Sequence, residues 1–267
     1  MKKIYKYSLL LVLSIPLLFA CEKIELQTAD NNIAVVESYL IPDAPVGVKI
    51  TKQLVFQSDD TIAQNLSGLE VQISTGNETY DLNEVSPGYY ENSSLQLETG
   101  VDYFLSFNYD AKELSAQTSI PTKPIGFASS ATSLVVSGVY GGGMGMGTPP
   151  EPVTLYWENA DNHYHMVVVE NIESNPSLIY TDTDAPVRSF RNAPTLAVSQ
   201  ELNMRSFSYY GKHRLILFKL NTEYAALYEQ LGTSSLDIVA PPTNINNGLG
   251  IFTGINADTL YLTVNAY

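Results

Sequence analysis

From Ile33 onward the chain keeps a two-residue rhythm, broken roughly every ten residues by proline, glycine, asparagine or aspartate, and this limits the folds open to it. Val36, Ser38 and Leu40 share one face before Pro42-Asp43. Val48, Ile50 and Leu54 follow, then Leu69, Val71 and Ile73 ahead of Gly76-Asn77. Tyr80 and Leu82 alternate before Pro87-Gly88, and Tyr103, Leu105, Phe107 and Tyr109 do so after Gly100. Leu114, Ala116, Thr118 and Ile120 end the series before Pro121 and Pro124. Neighbouring side chains of a strand point to opposite faces, so an apolar set at period two marks a half-buried strand. About seven short strands with turns between them predict a β-sandwich over residues 33–122.

Residues 123–267 repeat the theme less regularly. The stretch from Phe127 to Tyr140 predicts a strand pair, followed by the glycine-rich run 141–150 with Met144 and Met146. A phosphate-binding loop would close on Gly-Lys-Ser/Thr, and this run holds no lysine, so it reads as a hairpin loop. Its two methionines are candidate partner contacts. Val153, Leu155 and Trp157 alternate inward, which makes Trp157 the expected plug of a second sandwich core. Tyr164, Met166 and Val168, His213 to Leu220, and Thr259 to Tyr267 supply further strands. The single expected helix runs from Asn221 to Gly232: Asn221 caps it, Glu223 complements the dipole and Gly232 ends it. Its stripe of Tyr224, Leu227, Tyr228 and Leu231 should cover an open sheet edge or a sandwich end. The expected fold class is all-β, with two β-sandwich (immunoglobulin/fibronectin-like) domains in tandem and one short helix in the second.

The first thirty residues follow a different logic. Met1-Lys2-Lys3 and Lys6 precede an apolar stretch from Leu9 to Phe19, then come Ala20 and Cys21, the one cysteine of the chain. A charged start, a short apolar middle and a small residue before a cut make a signal peptide over residues 1–20. The stretch is shorter than the roughly 20 apolar residues a spanning helix needs. Leu18-Phe19-Ala20-Cys21 resembles the bacterial lipobox, in which the cysteine sulfur takes a diacylglycerol and the new amino terminus an acyl chain. The resemblance makes Cys21 the lipid-attachment residue. The alternative is a free thiol behind an ordinary signal peptide. Each buried methylene contributes about 0.8 kcal/mol, so three acyl chains hold a protein on a membrane durably. Residues 21–32 are polar and aperiodic, a lipidated tether reaching at most about 35–40 Å.

Charge bears on partners. The formal net charge is −14, and loss of Lys2, Lys3 and Lys6 with the leader takes it to −17. Such acidity disfavours nucleic acid and anionic headgroups. With Cys21 acylated, no thiol remains for disulfides, zinc or thiolate chemistry.

No catalytic constellation stands out, and no cofactor is expected. His163 and His165 share a strand face and could chelate a metal with Asp161 or His213, but nothing in the spacing requires it. No serine occupies a strand–elbow–helix motif, and no carboxylate pair is singled out. Asp182-Thr183-Asp184 and Ser58-Asp59-Asp60 lack the ligand alternation of a calcium loop. Tyrosine is abundant, at 18 residues, which suits sheets and wet binding surfaces alike. Tyr89-Tyr90 and Tyr209-Tyr210 lie near turns, where one ring of each pair is expected outward to stack on a sugar or touch a protein.

Several stretches together carry a family likeness: Cys21-Glu22-Lys23, Val35 to Leu40, Thr118-Ser119-Ile120-Pro121 and Asn244 to Phe252. They resemble the Bacteroidota outer-membrane lipoprotein family of unknown function, two β-domains often encoded beside TonB-dependent transporters. The likeness implies an outer-membrane location facing the cell surface, and a TonB-dependent β-barrel transporter as partner. The function it implies is non-enzymatic, an accessory that captures substrate at the transporter mouth. A fimbrial or adhesive surface subunit and a carbohydrate-binding module are the alternatives.

Overall fold

The computed structural model describes residues 32–54, 62–136, 151–180, 185–231 and 242–266. Cys21, Met144 and Met146 lie outside these residues. The described chain is all-β apart from one α-helix and a single 3₁₀ turn.

The first sandwich is built from β1 (Ala34–Leu40), β2 (Val46–Lys52), β3 (Val71–Ser74), β4 (Thr79–Ser86), β5 (Tyr89–Asn92), β6 (Asp102–Tyr109) and β7 (Lys112–Ser119). β1, β2, β5 and β4 form one sheet in that order, and β3, β6 and β7 form the other. This is the ABED/CFG order of an immunoglobulin-type sandwich. β4 serves both sheets, because its first half pairs with β3 and its second half with β5. Pro87-Gly88 turns β4 into β5, with Gly88 at φ +71° as the second turn position requires. Tyr103, near the start of β6, receives a 2.7 Å hydrogen bond on its hydroxyl from the Glu98 N–H. That backward bond to the backbone just upstream is the tyrosine corner of such sandwiches. The inward residues of both sheets, including Val36, Ile50, Ile73, Leu105 and Leu114, pack into one core.

The second sandwich has β8 (Ile125–Ser129), β10 (Val153–Glu158) and β13 (Ser199–Leu202) in one sheet, ordered β13-β10-β8. The other sheet runs β12 (Ser189–Arg191), β11 (Tyr164–Asn171), β14 (Gly211–Leu220), β15 (Leu249–Ala266), with β9 (Ser133–Val136) beside the end of β15. Trp157 sits on the central strand of the three-stranded sheet and is buried with Val153, Leu155, Leu215 and Leu262, as expected of a core plug. The strand pair expected between Phe127 and Tyr140 does not form: β8 pairs with β10, and β9 crosses to pair with β15 in the opposite sheet. The helix, α1 (Thr222–Leu231), follows β14 and lies against the outer face of the β11–β14–β15 sheet. There Tyr224 joins Met166, Leu220 and Ile255, and meets Tyr39 of β1 edge-on at 6.2 Å.

β15 changes the expected domain boundary. It was expected to begin near Thr259; it begins at Leu249. Its first residues, Leu249–Gly254, run parallel to β1, and Ile255–Val264 run antiparallel to β14. Phe252 is fully buried in the first core, and Leu262 and Val264 are buried in the second. One strand thus closes both sandwiches, and the first draws on residues far beyond 122. Just before it, Asn246 bridges Ser115, and the Asn247 amide donates to the Glu113 carbonyl, so this segment covers the free edge of β7. The turn that leads into β15 is thus also an edge cover.

Candidate functional site

The junction between the sandwiches is held by a small polar hub around Thr118. Its side chain is buried at the end of β7. The hydroxyl donates to Glu223 Oε1 (2.9 Å) and accepts from the Asn221 amide (3.2 Å) and the Gly254 N–H (3.0 Å). A hydroxyl offers one donor and two acceptor sites, so Thr118 is fully used. Glu223 Oε1 also accepts from the Thr253 hydroxyl (2.9 Å), and Asn221 donates to the Ser119 carbonyl (2.8 Å). One step further, Asn256 donates to the Pro121 carbonyl (3.0 Å). The buried Lys219 ammonium donates to the Thr122 hydroxyl (2.9 Å) and pairs with Asp161. The Lys219 hydrogen bond holds the Asp161 carboxyl below the usual carboxylate range.

Beside this hub lies a cleft of about 400 Å³. One wall comes from the first sandwich, with Asp102 at the start of β6 and Gln117 to Ser119 at the end of β7. The other comes from the turn Asp161–His163 before β11 and from Leu220 to Glu223, where β14 passes into α1. The turn is shaped locally: Asn162 takes the left-handed conformation at φ +56°, and the Asn159 side chain accepts the His163 N–H at 2.9 Å. Asp102, Gln117 and Asn162 are exposed, and their side chains make no hydrogen bond to another described residue. Three carboxylates line the space, and the nearby ammonium is already committed to Asp161 and Thr122. The field therefore repels anions.

The sequence-derived candidates separate. His163 and His165 do not converge on one face: His163 is in the turn, with Nδ1 3.4 Å from Asp161 Oδ2, whereas His165 is buried on β11 against Trp157. Desolvation pushes the His165 pKa down to about 4, against the opposing hydrogen bond between its Nδ1 and the His163 carbonyl. His213 is also buried, and its pKa is lowered for the same reason. His165 pairs with Lys219 in the ladder and His213 with Asn171, so the two rings sit at opposite ends of the β11–β14 pairing. Among the described residues no three His, Cys, Asp or Glu side chains group to hold a metal ion.

Of the tyrosine pairs, Tyr90 is fully buried, and its hydroxyl donates to the Leu66 carbonyl (2.7 Å) and accepts from the Leu69 N–H (3.1 Å). It is a core strut and is unavailable to a surface ligand, because strand alternation turns it inward. Tyr89 faces outward at 36% exposure, with its ring close over Gly47. Tyr210 packs on the second core and donates to the Val136 carbonyl at 3.3 Å, and Tyr209 is half-buried beside Leu178. Neither pair lines the cleft. Sequence reasoning missed Asp102, Gln117, Asn162 and Glu223 as neighbours. Each reads locally as a strand end, a turn or a helix start, and only the pairing of β15 with β1 brings them together.

No known protein family matches the chain, and no curated protein matches it in sequence. Among solved structures it is similar to the chicken CNTN1 FN1-FN3 domains, at 10% identity over 88% of this chain and 67% of that one, with a TM-score of 0.29. It is also similar to DIP-gamma IG1+IG2, at 8% identity over 89% of this chain and 99% of that one, with a TM-score of 0.23. The sandwich assignment rests on the strand order and the tyrosine corner. Among the described residues no helix is long and apolar enough to cross a membrane.

Proposed function

We propose that this protein is an outer-membrane lipoprotein, anchored through acylated Cys21 and facing the cell surface. In this reading it is non-enzymatic and serves as a substrate-capturing accessory of a TonB-dependent β-barrel transporter. The observation that carries the reading is Cys21 placed directly behind a short apolar leader in a chain with no other thiol. Acyl chains at that position fix the protein to a bilayer, and residues 21–32 let the sandwiches stand clear of it.

The junction cleft suits capture better than catalysis. His163 stands beside Asp161, and its ring has no hydrogen bond to a hydroxyl of a described residue, which supports a binding reading over a nucleophile–base pair. The hub around Thr118 holds both walls in place before any ligand arrives, and preorganisation of this kind favours binding. Pull-down of the lipidated protein from gently solubilised outer membrane tests the partnership. Recovery of a stoichiometric β-barrel transporter is expected, and recovery of the lipoprotein alone, under conditions that preserve other envelope complexes, overturns it.

A further inference from the structure

We infer that the junction cleft binds a neutral saccharide of one or two rings, an inference that rests on the capture role proposed above and names its substrate class. The cavity, about 400 Å³, lies within the roughly 300–1,000 Å³ range of small-molecule sites. The three carboxylates along it, Asp102, Asp161 and Glu223, exclude phosphorylated, sulfated and carboxylated ligands by like-charge repulsion. A simple cation is the weaker fit: an ammonium only donates, so it uses the carboxylates and the amide oxygens of Gln117 and Asn162 but offers nothing to their NH2 donors.

A sugar hydroxyl both donates and accepts, so vicinal hydroxyls answer the carboxylates and the amides together. The hub already displays one half of this chemistry: Glu223 Oε1 takes two hydroxyl donors, from Thr118 and Thr253, at 2.9 Å each. Tyr164 and His163 add ring surface to a lining that, Leu220 apart, is otherwise polar, which suits the C–H faces of a pyranose. Asp102, Gln117 and Asn162 are the contacts free to engage, because no other described residue occupies their side chains.

The test uses the purified full-length chain in detergent on an array of neutral oligosaccharides. Calorimetric titration of the sugar retained follows, with spermidine as the cationic comparison. Asp102→Asn, Gln117→Ala and Asn162→Gly alter exposed residues outside both cores, and glycine keeps the left-handed conformation at residue 162 available. Loss of one charge-assisted hydrogen bond weakens binding about tenfold. At least one neutral sugar should bind, with that weakening in Asp102→Asn, a smaller one in the other two, and no change in Tyr209→Ala. The inference is overturned if no neutral sugar binds, if spermidine binds in preference, or if all three cleft variants bind like the parent. Should one variant unfold, the other two carry the same comparison. Transporter co-purification is read separately, so a protein that keeps its barrel partner but ignores sugars removes this inference and leaves the accessory role intact.

Discussion

Replacing Thr118 by valine removes one oxygen and keeps the shape of the side chain. Three hydrogen bonds disappear with it. The Asn221 amide retains its bond to the Ser119 carbonyl and lies half-open to water, so its loss costs little. The Gly254 N–H is buried and would be left unpaired, at about 1–3 kcal/mol. Glu223 keeps Thr253 as a donor and is partly solvated, which holds its share to about 1 kcal/mol. Together the Thr118→Val change should destabilise the protein by about 2–4 kcal/mol, or roughly 5–12 °C in thermal midpoint for a chain of this size. Thr118→Ser, which retains the hydroxyl, should recover most of the loss. Urea unfolding monitored by Trp157 fluorescence measures both variants. If valine costs less than about 0.5 kcal/mol, or serine costs as much as valine, the hub does not hold the junction and the reasoning fails.

Gly250 sits at φ +101°, and a Cβ there would stand 1.9 Å from the carbonyl oxygen of Val36, its partner near the start of the β1–β15 pairing. Gly250→Ala should therefore cost about 3 kcal/mol or more from combined backbone strain and overpacking; a urea midpoint like that of the parent would contradict the parallel register. Burial holds the His165 pKa near 4, below its ordinary 6.5, so the unfolded chain binds the extra proton between those values. That contribution is complete above pH 6.5 and is lost as pH falls towards 4, by up to about 3 kcal/mol, with His213 adding in the same direction. Thermal midpoints from pH 7 to 4.5 should fall less steeply in His165→Leu than in the parent, and equal slopes would count against a buried neutral ring.

Individual strands were legible because one face of each is wet. β1, β6 and β7 place Val36, Leu105 and Leu114 inward as the alternation says. β11 is different: Met166 faces the helix side while Val167 and Val169 face the main core, all of them buried. A strand covered on both faces shows no alternation that tells inside from outside, so the spacing pairs His165 with His163 and does not reveal that His165 is buried. β15 was read short because Asn256 and Asp258 interrupt its apolar set, and because parallel pairing with β1 joins residues about two hundred positions apart. Gly254 records a second close approach, of β15 to the end of β7, since a Cβ there would lie 2.3 Å from the Ser119 carbonyl oxygen, yet its necessity shows only once the strands are side by side. The cleft was invisible for the same reason: its walls come from four separate stretches of chain.

Capture at a cell surface requires that the protein be held there, and that requirement is open to direct weighing. Intact-mass spectrometry of protein extracted from envelopes should find a chain starting at Cys21 and heavier than its polypeptide by a diacylglycerol and one amide-linked acyl group. Cys21→Ser should abolish both the added mass and the membrane association. An unmodified polypeptide mass, or a serine variant that still fractionates with the outer membrane, would contradict the account.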